Sequence, residues 1–161
     1  MTNEVVIKTD KLTKRFGNFI ATNEVTFEVY AGEIFGFLGA NGAGKTTAMK
    51  MLCGLSKPSS GNATIAGFDI YKQTEEIKKN IGYMSQKFSL YEDLTVIENI
   101  QFFGGIYGLS DKQLNAKSNE LIETLGLQSE AKKLVASLPL GWKQKLAFSV
   151  AVIHEPKIVF L

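Results

Sequence analysis

Gly39, Ala40, Asn41, Gly42, Ala43, Gly44, Lys45, Thr46 and Thr47 are the residues whose types and order could do chemistry. They read G-x-x-x-x-G-K-T, the spacing of a phosphate-binding loop. Phosphates reach bare backbone N–H groups only where no side chain obstructs them. Gly39, Gly42 and Gly44 supply that clearance and admit positive φ. A following helix points its positive end and its unpaired N–H groups at the same anion. Lys45 adds a point charge for the β- and γ-phosphates, and the Thr46 hydroxyl is a ligand for Mg²⁺. Charge-assisted hydrogen bonds contribute about 1.5–3 kcal/mol each. After the entropy of association, a handful leaves affinity on the order of micromolar to millimolar. The bland competitor is a chance glycine turn before a helix. The residues themselves imply a nucleoside triphosphate.

The elements needed to position that loop are written on either side of it. Ile34-Phe35-Gly36-Phe37-Leu38 is a continuous apolar run, the pattern of a strand buried on both faces. The residues after Thr47 predict a helix ending near Gly54, which suits a C-terminal cap. Upstream, Val5 and Ile7 and then Val25, Phe27 and Val29 alternate with polar neighbours, so Glu4 to Tyr30 predicts β structure with a turn at Phe16-Gly17-Asn18. Pro58-Ser59-Ser60-Gly61 predicts a turn, and Ala63–Ala66 a short strand broken at Gly67. Thr74 is the expected cap of a short helix with Glu75 and Glu76 at its start and Lys78 and Lys79 at its end. Ile81–Met84 returns as a strand.

From Thr95 to about Ser137 the chain is helical by pattern. Thr95-Val-Ile-Glu98 and Ser110-Asp-Lys-Gln113 are two capping boxes, and Gly108 and Gly126 fall where C-terminal caps belong. Ile97, Ile100 and Tyr107 mark one helix face and Leu114, Leu121 and Leu125 another; both predict core packing. A further helix runs from the stretch after Leu138 to Ile153. Pro156 stops it, and Lys157–Leu161 predicts a buried strand.

Composition sets bounds. In 161 residues, 45% are hydrophobic and 21% charged, an ordinary globular balance. The net charge of +2 is too weak to suggest a nucleic-acid surface. The single cysteine, Cys53, excludes an internal disulfide and predicts buried packing. No apolar run has the length of a membrane span, and the polar start is no signal peptide.

Several pieces beyond the loop resemble the nucleotide-binding domain of ATP-binding cassette (ABC) transporters. The resemblance covers essentially the whole chain. Gly82–Tyr91, Phe102–Leu109 and Leu138–Gln144 are similar, more narrowly, to ABC-2-type multidrug exporter ATPases. It implies an α/β fold: a P-loop NTPase with an incomplete RecA-like parallel core, an N-terminal antiparallel β subdomain and an α-helical insert. The implied division assigns 1–32 and 62–70 to the β subdomain, 33–61, 71–90 and 155–161 to the core, and 91–154 to the helical subdomain.

The resemblance also assigns roles. Phe16 matches the aromatic that stacks on adenine, worth about 1–3 kcal/mol for any base; a buried strand aromatic is the competing reading. Gln86 matches the Q-loop glutamine, whose amide oxygen reaches Mg²⁺ or the attacking water. The stretch at Leu138 departs from the family's Leu-Ser-Gly-Gly-Gln: Pro139 replaces the serine, Leu140 the first glycine, and Trp142 the glutamine. Pro139 fits a first helical turn but cannot donate. Contact with a nucleotide on an opposite monomer is then expected from N–H groups near Gly141 and Trp142. His154 does not correspond to the family's switch histidine; beside Glu155-Pro156 it is expected as a dipole partner or a surface residue.

The function so implied is the ATP-binding subunit of an exporter, with ATP and Mg²⁺ as cofactors, separate transmembrane permease subunits and a second ABC ATPase domain as partners, and no nucleic acid. It would lie at the cytoplasmic face of the membrane as a peripheral protein. The alternatives are a soluble ABC-type ATPase acting on ribosomes or DNA, and a non-hydrolysing binding module. The family pattern after a run such as Ile158–Leu161 continues with the Asp that orients Mg²⁺ and the Glu that activates water. Residues 1–161 are therefore expected to form the N-terminal part of a larger protein and, alone, to bind ATP without turnover.

Overall fold

The computed structural model describes residues 4–85 and 90–161. The chain divides into two compact units, Met1–Ile81 and Gly82–Leu161.

The first unit is built on an antiparallel sheet of order β2-β1-β3-β4. Strands β1 (Val5–Phe16) and β2 (Phe19–Tyr30) form a hairpin joined by Gly17-Asn18, with Gly17 at φ 58°. A two-residue connection needs a left-handed backbone to match strand twist, and Gly17 provides it. Strands β3 (Ser60–Ile65) and β4 (Phe68–Asp69) complete the sheet. The hairpin register slips between Thr9 and Leu12, where Lys11 takes positive φ, and again between Leu12 and Lys14, where Glu24 does. Threonine hydroxyls replace the missing ladder partners. The Lys11 N–H donates to Thr26 Oγ1 at 2.8 Å and the Glu24 N–H to Thr13 Oγ1 at 2.9 Å.

Helix α1 (Lys45–Leu52) buries Ala48, Met51 and Leu52. It ends in a left-handed Gly54, whose N–H donates to Met51 O at 2.9 Å. Helix α2 (Thr74–Asn80) begins one residue earlier than expected: its N-cap is Gln73, and Thr74 is already helical. An upstream turn sets that start. Asp69 Oδ1 accepts the Tyr71 and Lys72 N–H groups, and the Gln73 N–H donates to the Asp69 carbonyl.

The run 34–38 is not a strand. Ile34 is 100% exposed and Leu38 94% exposed. A strand buried on both faces requires hydrogen-bonded neighbours and covering layers. Among the described residues no strand pairs with this run. Its aromatics find another partner: Phe35 stacks on Phe27 at 4.9 Å between ring centroids, and Phe37 meets both rings edge-on.

The second unit packs helices α3 (Val96–Ile106), α4 (Asp111–Leu125) and α5 (Leu140–Ala151) with paired strands β5 (Ile81–Tyr83) and β6 (Ile158–Phe160). Both expected capping boxes form at α3 and α4, and Gly126 caps α4 in the left-handed conformation. The core gathers Val96, Ile100, Ile122, Leu127, Val135 and Leu146, and Ile97, Tyr107, Leu121 and Leu125 pack against it. Gly82 of β5 lies so close to the end of α5 that an added Cβ would stand 2.4 Å from Ala151 O. Strand β6 differs from expectation. Phe160 is buried but Val159 and Leu161 are exposed, because β5 is its sole paired neighbour among the described residues.

Candidate nucleotide-binding site

The loop predicted to do the chemistry folds as a tight curl at the mouth of α1. Gly42 and Gly44 have φ 85° and 79°, a region that costs an L-residue about 1–2 kcal/mol, and Gly39 has φ 155°. The Ala43 N–H donates to Ala40 O at 3.2 Å and closes the turn. Gly44 is the N-cap of α1, no side chain caps that end, and no acidic residue stands in the first turn. By helix geometry the N–H groups of Lys45, Thr46 and Thr47 have no acceptor within the helix. They are donors at its positive end.

The Lys45 ammonium is turned inward on the loop. Its Nζ donates to Gly39 O at 2.6 Å and Ala40 O at 2.7 Å. It thereby braces the curl and keeps a positive charge on the concave side of the backbone. Thr46 is exposed at the second helical position.

These residues fit a triphosphate with its metal. Exposed donors, a lysine and a hydroxyl converge without a competing carboxylate, and among the described residues no cluster of His, Cys, Asp or Glu could hold a metal by itself. A magnesium ion here would rest on the Thr46 hydroxyl and on the phosphates themselves.

The loop's seat is provided by β2. Gly44 approaches it so closely that an added Cβ would lie 1.9 Å from Ala21 O and 3.0 Å from Thr22 Oγ1. Thr22 Oγ1 donates to Gly44 O at 3.3 Å. Neither residue was singled out from the sequence. The alternation of Val25, Phe27 and Val29 stops short of them, and the irregularity at Glu24 changes which side chains face inward.

Phe16 closes β1 opposite Phe19 and is 56% exposed, so it is no core aromatic. Lys14 Nζ lies 5.2 Å from the centroid of its ring and donates to Lys57 O at 2.6 Å. Thr22 stands three strand steps from Phe19, about 10 Å along β2. The hairpin tip and the loop therefore belong to the same end of this unit. Gln86 lies outside the described residues.

In the second unit, α5 starts within the stretch resembling the family signature. Pro139 is the N-cap, with extended ψ 149°, rather than a residue of the first turn. Its carbonyl accepts the Trp142 N–H at 3.0 Å and the Lys143 N–H at 3.1 Å. The Trp142 amide is thus engaged at the helix end, with the Pro139 carbonyl as its acceptor. Leu140, 64% exposed, and Gly141 carry the remaining amides of that end. The Trp142 ring packs on the helical core and carries Lys145 Nζ at 4.8 Å from its centroid. His154 is half-buried and stacked on Tyr107, with ring centroids 3.7 Å apart, rather than a plain surface residue. Cys53 is buried as expected, and desolvation pushes its thiol pKa up to about 12.

Known proteins share this arrangement of sequence and fold. The chain is 49% identical over 158 residues to the probable multidrug ABC transporter ATP-binding protein YbhF of Escherichia coli (strain K12), covering 98% of this chain and 27% of that protein. It is 42% identical over 156 residues to the bacitracin transport ATP-binding protein BcrA of Bacillus licheniformis, covering 97% and 50%. The chain therefore spans half or less of the length of these relatives. A solved ATP binding subunit of an ABC transporter superposes with a TM-score of 0.82 at 28% identity, over 96% of this chain and 64% of that one. The structure of cbiO1 from Clostridium perfringens shares the fold, with a TM-score of 0.80 at 22% identity over 97% of this chain and 64% of its own. The fold is that of a P-loop NTPase with an N-terminal antiparallel sheet. The profile described as ABC transporter matches residues 22–161, and the chain belongs to that family.

Proposed function

We propose that Gly39–Thr47 holds the phosphates of ATP and that the whole protein couples ATP binding and hydrolysis to export of a small molecule. The observation that carries this reading is the uncapped start of α1 behind a left-handed glycine loop, with Lys45 inside the curl. The loop amides and those of Lys45, Thr46 and Thr47 bind the phosphate oxygens. Lys45 leaves the carbonyls of Gly39 and Ala40 for the phosphates, exchanging two neutral acceptors for an anionic one. Thr46 supplies a metal-ligand oxygen, and bound Mg²⁺ neutralises charge on the phosphates. Phe16 offers an exposed ring to the base.

The names of the relatives, multidrug and bacitracin transport ATP-binding proteins, support the assignment to export. In this reading separate membrane subunits carry the transport path. Gly141 of a second ATPase domain, with its helix end, faces the nucleotide from the opposite side, and the protein works at the cytoplasmic face of the membrane.

Calorimetric titration of the chain with Mg-ATP tests the first step. Saturable binding that Lys45→Ala removes is the expected result. Absence of binding by the unsubstituted chain overturns the reading.

A further inference from the structure

We propose that Thr22 is a positioning residue that aims the phosphate-binding amides from outside the loop; this rests on the nucleotide reading above. Thr22 is 5% exposed, and its Oγ1 donates to Gly44 O at 3.3 Å. The same oxygen accepts the Ala48 N–H at 2.8 Å, the first backbone bond of α1. Two donors from different directions, one along the helix and one from β2, fix where that carbonyl points. The peptide joining Gly44 to Lys45 is planar and trans, so its C=O and N–H point in opposite directions. Holding the Gly44 oxygen against β2 therefore turns the Lys45 N–H away from the strand, towards the loop's open side.

The rest of the contact agrees with this role. Gly44 is wedged where a Cβ would meet Ala21 O, so the strand and the N-cap touch through backbone. The strand segment is itself pinned, because Thr13 Oγ1 accepts the Glu24 N–H at 2.9 Å and donates to Lys11 O at 3.0 Å. Valine would fill the volume of Thr22 equally well, and Gly44 O would keep the Ala48 N–H. What the hydroxyl adds is direction rather than packing. A single neutral hydrogen bond of this kind corresponds to roughly a 2- to 12-fold effect.

The test compares Thr22→Val and Thr22→Ser with the unsubstituted chain, by calorimetric titration with Mg-ATP and separately with tripolyphosphate. Thr22→Val is expected to weaken both ligands by about 3- to 10-fold while lowering the unfolding midpoint of the ligand-free chain by no more than about 6 °C, so that it stays folded at the titration temperature. Thr22→Ser, which keeps the hydroxyl, is expected to bind within about twofold of the unsubstituted chain. Equal binding by Thr22→Val and the unsubstituted chain overturns the proposal. So does a Thr22→Ser variant as weak as Thr22→Val. Should Thr22→Val fail to fold, Thr22→Ala against Thr22→Ser decides by the same criterion. If the unsubstituted chain binds neither ligand, the nucleotide reading itself fails and the proposal falls with it.

Discussion

The carbonyl oxygen of Ala21 stands 1.9 Å from the place a Cβ on Gly44 would take. No rotamer relieves that contact, because both partners are backbone. Gly44 also sits at φ 79°, so a side chain there meets a clash and an unfavourable dihedral together. Gly44→Ala is expected to lower stability by at least about 2 kcal/mol and to abolish Mg-ATP binding. Gly42 is the control: its φ is 85° but nothing lies within 4 Å of the added Cβ. Gly42→Ala should cost only the dihedral term, about 1–2 kcal/mol. Denaturant unfolding of the two variants side by side measures the difference.

Lys45 has two jobs that separate experimentally. In the ligand-free chain its ammonium braces the carbonyls of Gly39 and Ala40. Lys45→Met should therefore speed hydrogen exchange at the Ala43 amide, which donates to Ala40 O. It should also weaken Mg-ATP by about 10- to 150-fold, the worth of one hydrogen bond to a charged group. Mass-spectrometric exchange reads the first effect and calorimetry the second.

Cys53 is buried on α1's C-terminal side, and with its thiol pushed up to about 12 the thiolate fraction at pH 8 is on the order of one in ten thousand. The native chain is expected to resist a thiol-specific chromogenic reagent at pH 8 for as long as α1 stays docked. In guanidinium chloride one equivalent per chain should react at once. Fast reaction of the native chain would show that the core around Met51 and Leu52 opens.

The Thr95–Glu98 capping box gives stability a defined acid dependence. The Thr95 hydroxyl and N–H both donate to Glu98 and hold its carboxyl below the ordinary 4.5. A depressed folded-state value means this contribution is complete above pH 4.5 and is lost as pH falls through the lower folded value. Glu98→Gln should flatten the acid limb of the unfolding midpoint measured between pH 6 and about pH 3. Thr95→Ala should cost about 1 kcal/mol at neutral pH.

What could be read without a structure was whatever a short segment decides for itself. The loop spacing, both capping boxes, the left-handed glycines at 54 and 126 and the tip at Gly17-Asn18 are local, since their dihedrals and hydrogen bonds close within a few residues. Two expectations failed for one shared reason. The strand at 34–38 and the full burial of Lys157–Leu161 each depended on what lies beside the segment. An apolar pattern states that a run suits burial, but neighbours must be present to bury it.

The amino-acid order alone determined that a glycine loop, a lysine and a threonine open a helix, because that chemistry is contiguous between Gly39 and Thr47. Only the tertiary structure decided what holds the loop in place. Thr22 and Gly44 are 22 residues apart, and the hydroxyl that meets the carbonyl is delivered by a strand whose inward-facing side chains change across the irregularity at Glu24. A register of period two loses its phase at such a point, so the partner of Gly44 is set by the folded sheet and by no pattern along the chain.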